Sequence, residues 1–462
     1  MRWKITTIAA LLTAISPATL VALTIAEPAI GKALALSSHE VLLVSEIFIF
    51  AILCMTAMSG TLLARLGPHT VLLLGGACYL GAIVCAIGAD LLLPTLPLEL
   101  IYSFIFLIGM ATAPLGPATQ ALLVDTLGDS EHGRATAIWT MAKTVGFLSS
   151  ALVAGWLIEQ YGWSSQFLIG AVPVLFALPL LMFGSQLGIT PSAAQKALPR
   201  FDWRGLALLA SWLIPLQLLL NVADSKTVEP VLLLAGALVI TLCLLAYGRH
   251  ALRTPEPVLD ITPLRQLGFV AAIIAILGFS LSTTGQFEIL LLGEVLNYPS
   301  DWLSYRSTIG GITQVIGALF GGYLVQRKLI RYGALAGLLI TALGLACYTQ
   351  YAEGLSLFAL IWPRAVTGIG AGMLFPLLAS AAYMMLRDQK TEVAASMLVF
   401  ATLFGTELGI ELLGLLLRDT QADSLAARFA YQNIFWAQVV LTLACMVLVA
   451  FLPTRQRTAA AV

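Results

Sequence analysis

The sequence has few charged residues for its length. Of 462 residues only 10% are charged, the 24 Lys and Arg balance the 24 Asp and Glu, and four residues are histidine. A sparse and balanced set of charges provides no basic surface for nucleic acid and no charged tail for docking a protein. We therefore expect no nucleic-acid partner.

Motifs of enzymes and of cofactor sites are also absent. The sequence contains no phosphate-binding GxxxxGK[ST], no HExxH and no GxSxG, so neither ATP hydrolysis nor hydrolase chemistry has support. The six cysteines all fall in apolar runs and form no CxxC pair, which is typical of packing residues. The sequence therefore predicts no enzyme, no cofactor and no metal site.

Long hydrophobic runs are what the sequence does contain. It is 59% hydrophobic with a mean hydropathy of +0.94, typical of a membrane protein. Runs of about 17 to 25 mostly apolar residues predict transmembrane helices. We predict an all-α polytopic fold with fourteen spans: 5–30, 41–64, 70–89, 98–122, 135–158, 166–184, 205–222, 230–247, 267–291, 304–325, 332–351, 356–386, 392–416 and 434–453.

The distribution of Lys and Arg among the loops predicts the orientation. The amino terminus and every second loop after it carry 17 of the 24 basic residues, and the other side carries five. Because cytoplasmic loops are enriched in Lys and Arg, both termini are predicted to be cytoplasmic. The remaining two basic residues, Lys143 and Arg364, lie inside predicted spans.

The two longest basic loops, 185–204 and 248–265, flank a helical hairpin formed by spans seven and eight. The predicted organisation is therefore a six-helix half at 1–184, loops and an inserted hairpin at 185–265, and a second six-helix half at 266–462. A glycine and a basic turn follow the second span of each half, at 60–67 and 322–329, which fits parallel repeats.

At these residues the chain resembles the major facilitator superfamily, and the six-plus-two-plus-six layout is similar to its fourteen-span drug:proton antiporter family. The resemblance implies a monomer in the bacterial inner membrane that exchanges a small-molecule substrate for protons. Further matching positions are Pro117, 121–125, Gly133, Arg134, Ala135, Trp139, Gly162, Trp163, Phe167, 201–203 and 255–260.

The chain departs from the family pattern in its first half. Thr19 and Ala64 stand where the family has aspartates, and Ile105 stands where it has the arginine of span four. Ser150 and Ala151 replace the Gly-Pro of the span-five antiporter motif. The resemblance therefore leaves the family's proton chemistry in the first half in doubt.

Arg364 lies in span twelve, within a pattern that matches the family's span-four arginine and glycines. Gly368 and Gly370 follow it at the family's spacing, so the buried arginine is predicted to have moved to the second half. The resemblance also implies that spans one, four, nine and twelve line the cavity, which Arg364 should face. The glycines alone are better explained by close helix packing.

Glu407 and Glu411 are the acids best placed to meet this arginine. Arg364 is roughly 12 Å from the outer face and Glu407 roughly 23 Å from the inner face of a core of about 30 Å, so the two side chains could pair. Glu411 is one turn further along the same helix, and two carboxylates that share one arginine would differ in how readily each is protonated. The alternative is a static ion pair that holds two helices together.

Three further polar residues lie inside predicted spans. Glu288, beside Gln286 in span nine, is a candidate proton or substrate site, with an acid wetted from outside as the alternative. Lys143 in span five is a candidate for anion binding or for a charge pair, with snorkelling to the cytoplasmic face as the alternative.

Four residues near the ends of spans are candidates for gating. Glu27 and Glu46 lie at the outer ends of spans one and two, where each is otherwise a rim residue. Arg65 and Arg327 lie in the basic cytoplasmic turns, where they serve topology or inner-gate contacts.

Together these features predict a secondary transporter for proton-coupled efflux of an amphipathic or anionic small molecule, a drug or a metabolite, by alternating access. Two intramembrane cations favour an anionic substrate. The alternatives are an uptake carrier for an organic anion and a membrane sensor or scaffold without transport activity.

Overall fold

The computed structural model describes residues 2–92, 97–127, 132–182, 202–223, 230–255, 257–384, 391–417 and 424–450. Within these ranges the regular structure is entirely helical. Thirteen segments are long and apolar enough to cross a membrane. The remaining predicted span, 41–64, is the first part of helix α2. The predicted all-α polytopic fold is therefore confirmed.

Eight helices account for the first half and the hairpin. They are α1 (Arg2–Leu34), α2 (Ser38–Leu92), α3 (Leu98–Thr112), α4 (Leu115–Leu127), α5 (His132–Tyr161), α6 (Phe167–Met182), α7 (Trp203–Ala223) and α8 (Pro230–Ala251). The second half comprises α9 (Leu267–Ser282), α10 (Gln286–Leu290), α11 (Ser300–Gln326), α12 (Ile330–Tyr348), α13 (Leu357–Met384), α14 (Thr391–Gly414) and α15 (Ser424–Ala450).

Spans two and three are joined directly in α2, which kinks at the predicted cytoplasmic turn. Gly67 has φ 75° and ψ 157° inside the element, and Pro68 follows it. Glycine adopts positive φ without the Cβ penalty of other residues, and proline lacks the N–H that a continuous helix would use. These two residues therefore reverse the chain without a separate loop.

Two predicted spans are interrupted. Span four divides into α3 and α4 at Ala113 and Pro114. Span nine ends at Ser282, and the chain resumes as the short helix α10 at Gln286. Thr283, Thr284 and Gly285 between them are weak helix formers. Glu288 therefore lies on α10, beyond the break, within a segment (Leu267–Val295) that is still long and apolar enough to cross a membrane.

The described chain divides into two compact units. Unit 1 contains residues 1–201 together with 292–308, and unit 2 contains residues 202–291 and 309–462. The hairpin α7–α8 thus clusters with the second half. The predicted three-part division of the chain remains a prediction.

Unit 1 is organised on α1, which packs along α5 and also contacts α4 and α6. A Cβ on Gly146 of α5 would collide with the backbone of Ala14, so the glycine permits this close approach. Unit 2 has an apolar core built from α9, α12, α13, α14 and α15. These two cores hold in place the helices that carry the polar side chains of the candidate site.

Candidate functional site

Unit 2 contains a cavity of about 250 Å³ between helices α9, α11, α13 and α14. Its lining combines one cation with an amide, several hydroxyl groups and apolar walls. The lining residues are Ile276, Phe279, Ser280, Thr283, Gln314, Arg364, Thr367, Gly368, Ala371, Phe375, Leu378, Thr402 and Thr406.

Arg364 reaches this cavity from α13; the expected cavity lined by spans one, four, nine and twelve remains a prediction. Thr367, Gly368 and Ala371 follow it at three, four and seven residues and also line the cavity, so they share one face of the helix. A Cβ on Gly310 of α11 would collide with the Arg364 side chain. Gly310 therefore makes room for the arginine.

The guanidinium group of Arg364 has no counter-charge in this part of the structure. Its Nε is buried and has no hydrogen-bond partner, and within the described ranges Arg364 forms no ion pair. The predicted pair with Glu407 is therefore not formed. A cation inside a membrane helix is costly unless it is paired or solvated, so the cavity must supply its polar surroundings.

The two faces of α14 explain why that pair is not formed. Thr402 and Thr406 line the cavity, and Gly405 lies against the backbone of Leu277 in α9. At about 100° per residue, the mean direction of Glu407 and Glu411 lies about 140° from the mean direction of the two threonines. The acids therefore face away from the cavity.

On that second face the acids meet the inserted hairpin. The Gln217 Nε2 of α7 donates a hydrogen bond to Glu411 Oε1. One turn before Glu407, Phe404 packs edge to face on Trp212 of α7, with ring centroids 5.6 Å apart. We call Glu407, Glu411, Gln217 and Trp212 the hairpin-side cluster.

The carboxyl groups of the hairpin-side cluster are buried. Glu407 and Glu411 are each 3% exposed, and they interact electrostatically with one another. Gln217 interacts with Glu407 as well, although neither carboxyl oxygen of Glu407 forms a hydrogen bond of good geometry among the described residues. Sequence reasoning missed Gln217 and Trp212, although a glutamine in the middle of an apolar span was a usable signal.

Glu288 lies in a separate buried site on α10. It is 1% exposed, and its Oε1 lies 3.0 Å from the hydroxyl oxygen of Tyr351, which is also 3.0 Å from the Leu360 carbonyl oxygen. A phenol has only one hydrogen to donate. Both contacts become full hydrogen bonds when Glu288 carries a proton. Gln286 is buried on the same short helix.

The predicted outer-end acids of unit 1 are buried rather than exposed at a rim. Glu27 and Glu46 are 0% and 1% exposed, and Glu27 Oε1 accepts a hydrogen bond from Ser45 Oγ. Glu294, which sequence reasoning missed, interacts electrostatically with Glu27. The structure thus brings a third acid to these two helices.

Lys143 of α5 has an exposed side chain, with its ammonium 4.3 Å from the centroid of the Trp139 ring. The exposed apolar side chains of Met141 and Val145 point about 160° away around the helix. Lys143 therefore does not lie on the apolar outer face of α5. This geometry leaves both of its predicted roles open.

The basic turns differ in what the structure shows. Arg327 is exposed; its Nε donates a 3.0 Å hydrogen bond to the Tyr323 hydroxyl, and its guanidinium lies 5.2 Å from the centroid of that ring. The side chain of Arg65 lies outside the described residues. Thr19, which stands where the family has its span-one aspartate, carries no charge. Its hydroxyl oxygen lies 2.7 Å from the Tyr79 hydroxyl oxygen, to which it is hydrogen-bonded.

A bundle of apolar helices with a polar, arginine-bearing cavity and buried acids is characteristic of a membrane transporter. Among the described residues, no group of three or more His, Cys, Asp or Glu is arranged to hold a metal ion. The chain belongs to the Major Facilitator Superfamily, whose model matches residues 8–288 and 268–461.

Several curated relatives are efflux proteins. The multidrug efflux pump LfrA of Mycolicibacterium smegmatis is 25% identical over 366 residues, which cover 76% of this chain and 68% of LfrA. The multidrug export protein EmrB of Escherichia coli is 23% identical over 321 residues, covering 68% of this chain and 61% of EmrB. The methyl viologen resistance protein SmvA of Salmonella typhimurium is 25% identical over 424 residues, covering 87% of this chain and 79% of SmvA.

Solved transporters share the fold. The POT family transporter PepTSo aligns with a TM-score of 0.71 at 15% identity and covers 97% of both chains. A D-xylose-proton symporter aligns with a TM-score of 0.63 at 14% identity and covers 98% of both chains. The protein is therefore a multi-pass inner-membrane secondary transporter with multidrug efflux relatives, in a family of transporters rather than enzymes.

Proposed function

We propose that the protein exports an amphipathic or anionic small molecule, a drug or a metabolite, in exchange for protons, by alternating access. The direction is supported by the efflux and resistance functions for which its relatives are named. We further propose that it acts as a monomer with both termini in the cytoplasm, in keeping with the charge distribution of its loops.

The observation that carries proton coupling is the pair of buried acids on α14. Two ionised carboxylates one turn apart in an apolar interface repel each other and lose their hydration. Binding one proton removes one of the two charges. The amide of Gln217 interacts with both acids, so one neutral donor serves two carboxyl groups and uptake of one proton relieves the pair.

Glu288 is proposed as a second proton-binding group. Its contact with Tyr351 and the Leu360 carbonyl is fully hydrogen-bonded only in the protonated form. Deprotonation would leave Tyr351 with one hydrogen for two acceptors, which weakens its hydrogen bond to Leu360 in the first turn of α13. Proton release at Glu288 would thereby loosen a contact between α10 and α13.

Helix α14 offers a direct mechanical link between protons and substrate. It carries the acids on one face and the cavity-lining Thr402 and Thr406 on the other. A packed helix moves as a rigid element, so a shift of α14 against α7 on protonation also displaces the two threonines. In this scheme no direct ion pair between Arg364 and an acid is needed.

The remaining candidates are assigned supporting roles. Lys143 and Gln286 are proposed to contact substrate or pair with charges. Glu27, Glu46, Arg65 and Arg327 are proposed to contribute to gating, with the burial of Glu27 and Glu46 in support of a closing contact. The proton-flux experiment on Glu407 and Glu411 does not depend on these roles.

Proton coupling is testable in liposomes that contain the purified protein and trapped pyranine, a fluorescent pH indicator. Addition of a transported compound should drive proton movement through the wild-type protein, and the paired change Glu407→Gln with Glu411→Gln should abolish it. Glu353→Gln, which removes an exposed acid, is the matched control and should retain wild-type flux.

Coupled proton movement at the wild-type rate in the double variant would refute the assignment. Movement of protons in the same direction as the substrate would instead identify an uptake symporter. If no compound moves protons while a membrane protein co-purifies with the chain, the sensor or scaffold alternative is favoured.

A further inference from the structure

We infer that the cavity in unit 2 binds the anionic group of the transported molecule, a carboxylate or sulfonate attached to a small apolar ring system, with Arg364 as its counter-charge. This inference deepens the proposed transport function by specifying the substrate class. It is carried by the charge, the hydrogen-bond donors and the size of the cavity.

The lining of the cavity is positively charged, because it contains Arg364 and no acidic residue among the described residues. The acids of α14, which would neutralise it, point to the hairpin side. Among the residues that the structure describes, the buried Nε of Arg364 has no acceptor. A bound anion would supply the counter-charge and acceptor that the protein lacks, through charge-assisted hydrogen bonds.

Some of the hydrogen-bond donors in the cavity are already used and others are available. The hydroxyls of Thr367, Thr402 and Thr406 are used, because they donate within their own helices to carbonyl oxygens at 2.8 to 3.0 Å. Within the described part of the chain, the Gln314 amide and the Ser280 hydroxyl form no hydrogen bond. Together with Arg364 they leave donors available to an incoming group. Carboxylates and sulfonates only accept hydrogen bonds, so they match this set.

The cavity is small and partly apolar. A volume of about 250 Å³ corresponds to about eight water molecules at roughly 30 Å³ each. It falls below the roughly 300–1,000 Å³ typical of a complete site for a drug-sized molecule. Phe279, Phe375 and Ile276 provide apolar wall beside the cation. The cavity therefore fits the charged end of a substrate and an adjoining ring.

The binding test uses three probes of one shape and different charge: 2-naphthoate, neutral 2-naphthamide and cationic 2-naphthylmethylamine. Each is titrated into the purified full-length protein at neutral pH, and binding is measured by calorimetry and by the shift in thermal unfolding. We expect 2-naphthoate to bind at least about tenfold more tightly than the other two, which corresponds to 1.4 kcal/mol. Equal affinities, or a preference for the cation, would overturn the inference.

Variants then locate the binding site. Arg364→Gln should abolish the preference for naphthoate, whereas Arg253→Gln, which removes an exposed charge outside the cavity, should retain it. If Arg364→Gln does not fold, Gly310→Ala serves in its place, because the added Cβ displaces the Arg364 side chain and should weaken naphthoate binding. Undiminished naphthoate preference in whichever variant folds would refute the site.

These measurements need no gradient and no coupling, so they are independent of the proton-flux assay. Loss of the naphthoate preference with intact proton coupling would refute the anion site alone. An intact preference without proton coupling would refute the proposed antiport alone.

Discussion

The two faces of helix α14 differ in chemistry although they belong to one helix. One face presents Thr402 and Thr406 to a cavity whose only cation, among its lining residues, is Arg364. The other presents Glu407 and Glu411 to α7 of the inserted hairpin. In the proposed mechanism, substrate charge and proton charge are therefore handled on opposite sides of the same helix. Under that proposal, coupling depends on movement of the helix rather than on an ion pair.

The contacts of α14 also indicate a role for the hairpin α7–α8. Helices α7 and α8 are poorly covered in the described structure, with 22% and 11% of their most apolar windows buried, against 61% for α13. The buried contacts of α7 nevertheless include the hydrogen bond from Gln217 to Glu411. We interpret the hairpin as a cover that separates the acids from lipid.

The largest effect is expected from Trp212→Ala, which opens the hairpin side. Trp212 is 5% exposed and packs on Phe404, and truncation of a buried tryptophan costs about 3 kcal/mol or more. Proton coupling should fall with this loss of stability, whereas naphthoate binding on the opposite face should persist. Thermal unfolding and titration check both outcomes. Trp203→Ala, on the same helix but 65% exposed, is the control and should change stability little.

Thr406→Glu should collapse the difference between the faces. An acid at this position enters the cavity that Arg364 lines and supplies an internal counter-charge. We expect about a 100-fold loss of naphthoate affinity, about 2.7 kcal/mol. The neutral variant Thr406→Gln has a similar size and should lose far less. Equal losses in the two variants would show that bulk, rather than charge, matters.

Tyr351→Phe removes the hydroxyl between Glu288 and the Leu360 carbonyl. A buried group that loses its hydrogen-bond partner costs about 1–3 kcal/mol, so we expect a destabilisation of about 2 kcal/mol and slower proton-coupled transport. Thermal unfolding and pyranine flux measure these changes. Tyr332→Phe, at a 66% exposed residue, should leave both unaltered.

Gln217→Leu should give the smallest effect and sharpen the role of the hairpin. Loss of its hydrogen bond to Glu411 should cost about 1 kcal/mol and slow proton flux. Naphthoate affinity should stay at the wild-type value, since Gln217 does not line the cavity. A parallel loss of both activities would mean that the two faces are not separable. Gln350→Leu, at an exposed position, controls for the change of residue type.

Sequence patterns predicted most of the fold because transmembrane helices depend on local hydropathy. The described part of each of the fourteen predicted spans falls on helical segments, and the turn at Gly67 lies where the motif placed it. Span nine also contains a break at Thr283–Gly285, which its average hydropathy did not reveal. A window of about 19 residues does not resolve a three-residue interruption.

The candidate site was predicted less completely. Arg364 lies at a cavity of unit 2, and Glu407 and Glu411 are buried, but the cavity expected between spans one, four, nine and twelve remains a prediction. The expected pair was wrong because similar depth fixes the position of two residues along the membrane normal but not their direction around each helix. Gln217 belongs to the site because it contacts Glu411, which lies 194 residues away in the sequence. No local sequence pattern specifies such a contact.

The sequence by itself determined that this protein is helical, spans the membrane many times and carries an unusual arginine and acids inside its spans, because these properties follow from composition and short-range order. Only the tertiary structure decided that Arg364 lacks a counter-charge within the described residues and that Glu407 and Glu411 face the hairpin. The rotation of α14 about its axis is set by its packing against α9 and α7, and such packing depends on residues far apart in the chain.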